Sequence, residues 1–155
     1  MILDVCCGSR MFYFNKDNED VIFGDIRVYS GELYDGRKLE ISPDVCFDFR
    51  SLPFKDSIFT HVIFDPPHLN KLGNNSWMAK KYGVLSKTWR GDIRDGFRDG
   101  FRECFRVLQL GGTLLFKWNE TQIKVNDILR LTDHSPLLGH RSGKQMNTHF
   151  IYFVK

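Results

Sequence analysis

Short apolar runs separated by polar, glycine-bearing stretches dominate the first half of the chain. Ile2 to Val5 predicts a first strand, which ends at Cys6-Cys7-Gly8-Ser9-Arg10. Met11 to Tyr13 onward reads as a weak helix or a turn. Val21-Ile22-Phe23 predicts a second strand ending at Asp25, and Tyr29 to Ile41, with Gly31 and Gly36, reads as irregular with at most one helical turn. Val45 to Phe49 and His61 to Phe64 predict strands three and four, with Leu52 to Asp56 as a loop between them. From Asp92, as N-cap, to about Leu108 the period changes. Ile93, Phe97, Phe101, Cys104, Phe105 and Leu108 recur at helical spacing, and Gly111-Gly112 stops the helix. Thr113 to Trp118 predicts a fifth strand, Gln122 to Leu131 a helix, and Leu137–Gly139 with Thr148–Val154 the last two strands. A basic loop, Arg141 to Lys144, joins those two, and their closeness allows one of them to run antiparallel. Strands alternating with helices predict an α/β fold: a mostly parallel sheet with helices on both faces.

Composition narrows the class. The 155 residues are 42% hydrophobic and 26% charged, which fits one folded domain over 1–155 with a sizeable core. Fourteen Phe make that core, or a binding face, rich in rings. A net charge of +3 permits nucleic acid as a partner without arguing for it. The four cysteines, Cys6, Cys7, Cys46 and Cys104, show no zinc spacing, so no metal is expected. Cys6 and Cys7 read as small packing residues rather than reactive thiols. The absence of a signal peptide or long apolar stretch makes a reducing cytoplasm the default, with no membrane partner.

The sharpest local signal is Asp65-Pro66-Pro67-His68 at the end of strand four. Proline gives no N–H to a ladder and fixes its own φ, so the chain leaves the sheet there on a rigid corner. The corner carries a carboxylate and a carbonyl, two acceptors suited to an amine. In an open parallel sheet ligands sit beyond the carboxyl ends of the strands. Four features fall at such ends: Gly8 to Arg10, Asp25, Asp48, and Asp65 to His68. Gly8 lets backbone approach a ligand, and a carboxylate at Asp25 can accept both hydroxyls of a ribose. The first loop lacks the GxGxxG pattern, and a tight turn with a solvent-facing acid would also fit it.

These residues together resemble the class I S-adenosylmethionine-dependent methyltransferases, over nearly the whole chain. Ile2-Leu3-Asp4-Val5-Cys6-Cys7-Gly8-Ser9 is similar to the family's first motif, Asp25 to its ribose-binding acid, and Asp48-Phe49 to the pair beside the adenine. Leu52 to Phe59 resembles the family's approach to strand four, and Leu110 to Leu114 its glycine turn before strand five. Asp65 to His68 is similar to the [D/N/S]PP[Y/F/W] motif of amino-methyltransferases, in particular the small enzymes carried by phages and prophages. The resemblance implies a Rossmann-like, doubly wound sheet of seven strands. It implies S-adenosyl-L-methionine as cofactor, held by Asp4, Cys6, Gly8, Arg10, Asp25, Ile26, Asp48, Phe49 and Asp65. It implies catalysis at Asp65, Pro66, Pro67 and His68 on an exocyclic amino group of a nucleic-acid base. Two positions depart from the pattern. Arg10 stands where a second glycine is common, and His68 replaces the usual aromatic ring, though it too can stack on a base.

The long connection 68–91 reads as a lid or substrate loop. Its Lys71 and Trp77, with Lys80, Lys81, Lys87, Trp89 and Arg90, suit phosphate contacts and stacking. Trp118 and Asn119, beside Glu120, are expected to edge the substrate pocket. Arg94, Arg98, Arg102 and Arg106 form a helical stripe, with Asp95, Asp99 and Glu103 each three residues before the last three of these, which predicts local ion pairs on a solvated face. DNA and RNA are equally compatible, as is a homodimer or a second specificity subunit. Three other readings fit the same residues: a protein glutamine methyltransferase, a small-molecule amine methyltransferase, and a non-catalytic Rossmann-like binding subunit.

Overall fold

Alternation of buried and exposed positions produces nine short strands and two helices in the computed structural model, which describes residues 1–33, 35–69 and 93–155. The strands are β1 (Ile2–Asp4), β2 (Val21–Asp25), β3 (Tyr29–Glu32), β4 (Lys38–Ile41), β5 (Val45–Cys46), β6 (Phe59–Phe64), β7 (Leu108–Asn119), β8 (Leu138–Ser142) and β9 (Thr148–Val154). The helices are α1 (Ile93–Val107) and α2 (Val125–Leu129). Seven strands form one sheet in the order β5-β2-β1-β6-β7-β9-β8, and β3 pairs with β4 apart from it. β5, β2, β1, β6 and β7 run parallel, while β9 is antiparallel to both neighbours. This is the mostly parallel sheet that the strand–helix alternation predicts, in the seven-stranded, Rossmann-like form that the family resemblance implies. Chain order reverses its direction of travel between β1 and β6, the place where such sheets open a crevice.

The main core lies on one face. Leu3, Val62, Phe64, Leu114, Phe116, Trp118, Ile151 and Phe153 point to α1 and α2, whose Phe97, Phe101, Cys104, Phe105, Val125 and Ile128 fill the layer. The repeat Arg94-Asp95-Gly96-Phe97 and Arg98-Asp99-Gly100-Phe101 places its two Phe one turn apart, both sealed from water. Gly100 is required there: a Cβ would sit 2.8 Å from the Phe49 ring and 3.1 Å from that of Phe64. The opposite face carries a smaller cluster, Cys7, Val21 and Phe23, covered by Tyr13 from the turns after β1. Both described helices thus pack on one face, whereas the pattern predicted helices on each; turns take the place of a helix between β1 and β2.

Other boundaries also differ. The stretch Tyr29 to Ile41 is a β-hairpin rather than irregular, because Leu33, Leu39 and Ile41 form their own cluster and Gly36, at φ +78, makes the turn. The third predicted strand shrinks to Val45–Cys46, since Asp48 and Arg50 close a turn just after it. Gly111-Gly112 does not stop the helix. α1 ends at Val107 and β7 starts at the next residue, with its terminal carbonyls taken by the Ser57 and Ile58 N–H groups. The glycines lie inside β7, bonded to Lys155 of the closing strand's end. α2 keeps only Val125–Leu129 of the helix predicted from Gln122, and β8 reaches Ser142, absorbing the start of the basic loop. The N-cap expected at Asp92 lies outside the described residues, as do most of the loop 68–91 and its Lys71 and Trp77. Among the described residues no helix is long and apolar enough to cross a membrane.

The arginine stripe forms the expected pairs, Arg98–Asp95, Arg102–Asp99 and Arg106–Glu103, at 2.8 to 2.9 Å. Arg106 leaves the solvated face, however. It also binds Asp56 and the Phe54 and Leu52 carbonyls, while Glu103 accepts the Leu52 N–H at 2.8 Å, so the end of α1 is riveted to the loop before β6.

Candidate active site

The carboxyl ends of β5, β2, β1 and β6 lie side by side, so Asp48, Asp25, the Gly8 loop and Asp65 meet along one edge. Backbone bonds knit the loop in place. Cys7 N–H donates to the Gly24 carbonyl at 2.8 Å, and Gly8 N–H donates to Asp25 Oδ2 at 3.0 Å. Gly8 takes φ +52, the left-handed region that glycine occupies without strain. Arg10 follows with φ 55, so the position where the resemblance led one to expect glycine does have the backbone that favours it. The Arg10 side chain is committed to partners within the chain, on the wall of a cavity it shares with Gly8 and Ser9. Its guanidinium stacks 3.9 Å from the Phe23 ring centre and donates to the Lys16 and Ser42 carbonyls and to Asp44 Oδ1.

Each acid at the edge is held differently. Asp4 is 2% exposed, accepting the Cys6 N–H and, at 2.9 Å, the Tyr13 hydroxyl. Burial pushes its carboxyl up to about 7, against those two hydrogen bonds and with help from the charges of Asp65 and Asp25. Asp25 is buried and uses both oxygens within the chain: Oδ1 accepts the Arg27 N–H and Nε, and Oδ2 accepts Gly8 N–H and the Arg27 guanidinium. Asp48 pairs in the same way with Arg50. Burial raises its carboxyl, but the Arg50 side chain and N–H outweigh that and hold it below the usual carboxylate range. Ile26, beside Asp25, is 45% exposed and offers an apolar surface at the same edge. Phe49 points inward, 5.1 Å from the Phe64 ring, and belongs to the core.

Asp65 begins the proline corner directly after β6. Its Oδ2 accepts Lys117 Nζ at 2.8 Å, and its side chain is 27% exposed. Burial raises its carboxyl, opposed by the charge and hydrogen bond of Lys117. No described residue donates to the Pro66 carbonyl. His68 lies 6.3 Å from the Trp118 ring, edge to face. Burial pushes its imidazole down to about 4, with the Lys117 charge adding to the effect, so the ring is neutral at pH 7 and able to stack. Trp118, predicted to edge the pocket, is 1% exposed; it gives its indole N–H to the Ile123 carbonyl and supports His68 from within the core. Asn119 is likewise engaged, with Thr148, Asn147 and Thr121, in the joint between β7 and β9.

Sequence reasoning missed Lys117, Arg27 and Tyr13. The spacing Asp25-Ile26-Arg27 was a usable signal for one of them, whereas the contacts of Lys117 and Tyr13 exist only in the fold. Cys6 and Cys7 behave as packing residues: burial comes first in raising both thiols, that of Cys7 to about 12, with the neighbouring acids adding to it.

No family model matches the sequence, and no curated protein matches it either. Solved structures do. The PH0226 protein from Pyrococcus horikoshii OT3 superposes with a TM-score of 0.62 at 14% identity, covering 99% of this chain and 80% of that one. A TehB-like SAM-dependent methyltransferase from Corynebacterium glutamicum gives a TM-score of 0.60 at 16% identity, covering 99% of this chain and 79% of that one. At such identities the likeness is one of architecture, and it extends over almost every residue of the chain: the fold is the Rossmann-like fold seen in that methyltransferase.

Proposed function

We propose that this chain is an S-adenosylmethionine-dependent N-methyltransferase acting on an exocyclic amino group of a nucleic-acid base. The observation that carries the reading is the acceptor pair at the end of β6. Asp65 Oδ1 and the Pro66 carbonyl meet no donor among the described residues, on a corner beside the Gly8 loop and Asp25. The fold shared with a SAM-dependent methyltransferase supports it.

The donor set fits the cofactor. A left-handed Gly8 turn, carboxylates at Asp4, Asp25 and Asp48, and an exposed Ile26 stand at adjacent strand ends. Asp25 would hold the ribose hydroxyls once the Arg27 guanidinium yields its two places, and Ile26 would lie against the adenine. When bound, S-adenosylmethionine supplies an electrophilic methyl group on sulfur. The protein's task is the nucleophile. The lone pair of an exocyclic amine is delocalised into its ring. Asp65 and Pro66 accept both N–H bonds, draw the nitrogen toward tetrahedral geometry and localise that pair for in-line attack. Methyl transfer would form the N–C bond at the expense of the cofactor's S–C bond, whose electron pair would stay on sulfur, while Asp65 and Pro66 hold the nitrogen as its extra proton passes to water. Neutral His68 stacks on the ring.

The test is methyl transfer from labelled S-adenosylmethionine to separate DNA, RNA, protein and small-amine pools, with mass spectrometry of the digests. An N-methylated nucleobase is the expected product. Label only in protein glutamine or only in a small amine would replace the nucleic-acid assignment, and lack of cofactor binding by calorimetry would sink the enzyme reading.

A further inference from the structure

The proline corner is tied across the sheet by a residue of the next strand. β6 and β7 pair Phe64 with Phe116, so the following positions, Asp65 and Lys117, stand opposite each other on the same face. Lys117 Nζ lies 2.8 Å from Asp65 Oδ2 and 4.4 Å above the Phe12 ring, and its side chain is 23% exposed. The ammonium thus touches one carboxylate oxygen, with an aromatic face as its other wall. We propose that Lys117 is the positioning residue of the amine site: it fixes Oδ2 of Asp65 and leaves Oδ1 directed to the incoming N–H. This rests on the amino-methyltransferase reading above.

The physical need is clear. A protonated carboxyl donates where an amine requires an acceptor, and a carboxylate free to rotate presents no fixed oxygen. The charged or titratable groups around Asp65 are Lys117 from β7, Asp4 from β1, the Cys6 thiol of the first loop and His68 of its own corner. Asp4 and a thiolate would oppose ionisation of Asp65, and His68 is neutral at pH 7, so the counter-charge comes from Lys117. The same ammonium disfavours protonation of His68 and keeps that ring a neutral stacking surface.

The test is a carbon-13 NMR titration of the Asp65 carboxyl and the His68 imidazole in the intact chain, the Asp65 signal being identified by its loss in Asp65→Asn. In Lys117→Met the Asp65 midpoint is expected to rise by about one pH unit or more, with His68 moving up in parallel, and Lys117→Arg is expected to restore both. Lys117→Gln serves if the Met variant does not fold. In turnover, the acidic limb of the kcat profile should move with the Asp65 midpoint while S-adenosylmethionine affinity stays within about threefold. An Asp65 midpoint that does not move in either neutral variant overturns the proposal. A wild type that shows the coupling but binds no S-adenosylmethionine overturns the methyltransferase reading instead, and with it the amine role of the pair.

Discussion

The two halves of the candidate site hold their acids by opposite means. On the cofactor side, Asp25 and Asp48 are each gripped by an arginine two residues on, through a turn in which the arginine N–H and guanidinium bind the same carboxylate. On the substrate side, Asp65 is gripped by a lysine 52 residues away on the neighbouring strand. A pair two residues apart orders little chain and can form before the sheet does. A cross-strand pair exists only in the finished sheet, so the grip on Asp65 depends on folding in a way that the arginine grips on Asp25 and Asp48 do not. The same Asp-x-Arg turn also occurs at Asp35-Gly36-Arg37, in the antiparallel hairpin β3–β4, where it follows no parallel strand, although Arg37 lines a cavity shared with Gly8 and Ser9. The turn motif by itself therefore marks no site; its placement at a parallel strand end does.

The substrate half should give the largest effect. Asp65→Asn removes the charge that faces the amine and leaves Lys117 partly buried without its partner. Methyl transfer is expected to fall by about two to three orders of magnitude in single turnover, the scale of losing one well-placed electrostatic contact in a transition state. Cofactor affinity, read by calorimetry, should hardly change. Equal loss of both would erase the division between the halves.

Asp4 sits between the two regions and gives the next effect. Its carboxyl titrates near 7 in the fold, raised first by burial, against about 3.9 in an unfolded chain. Between those values the folded state holds a proton on Asp4 that the unfolded one has lost, so the contribution of Asp4 to stability is fully present below about pH 4 and is lost as pH rises through about 7. Asp4→Asn removes that dependence and should be more stable than wild type at pH 8 by on the order of 4 kcal/mol, with little difference at acid pH. Urea unfolding at the two extremes measures it. A cationic cofactor favours the ionised form, so wild-type affinity for S-adenosylmethionine should rise with pH through about 7, with proton release on binding. A flat affinity profile would mean that Asp4 faces no part of the cofactor.

These residues also show what the chain discloses before it folds. The strand ends were legible because apolar runs stop at Asp25, Asp65 and the Gly8 loop, and a parallel sheet brings such ends to one edge. Phe97, Phe101 and Cys104 were legible as core by helical period, and all three are sealed. The hairpin β3–β4 was hidden because its strands are four residues long, β3 carries Gly31 and buries no side chain fully, and only Leu39 and Ile41 of β4, with Leu33 of the turn, are sealed. The break between α1 and β7 was misplaced because Gly111-Gly112 resembles a helix stop. There the loop before β6 satisfies the helix end, and the glycines serve a strand pressed against Thr60, whose carbonyl would lie 2.8 Å from a Cβ on Gly112. Trp118 was read as a pocket edge from its place after a strand. Its face was set by the register of β7, which points it inward with Phe116.

The three Asp-x-Arg turns, two at the cofactor edge and one in the hairpin, form a series graded by exposure of the acid, 4% at Asp25, 26% at Asp48 and 48% at Asp35, which isolates what placement adds. Asp25 is 4% exposed beneath Arg27, and a ribose can reach it only as the guanidinium leaves. Arg27→Met should therefore tighten S-adenosylmethionine by about fivefold at low salt, the scale of one ion pair no longer broken on binding, with the gain shrinking as salt screens the wild-type pair. Weaker binding in that variant would mean that Arg27 holds the cofactor rather than competing with it. Arg37→Met carries the same chemistry at the hairpin turn, where Asp35 is 48% and Arg37 65% exposed. Water already solvates both groups there, so the melting temperature and the cofactor affinity should stay at wild-type values. A measurable change in affinity from Arg37→Met would show that the hairpin contributes to the ligand edge, and the line between a turn and a site would have to be drawn beyond β4.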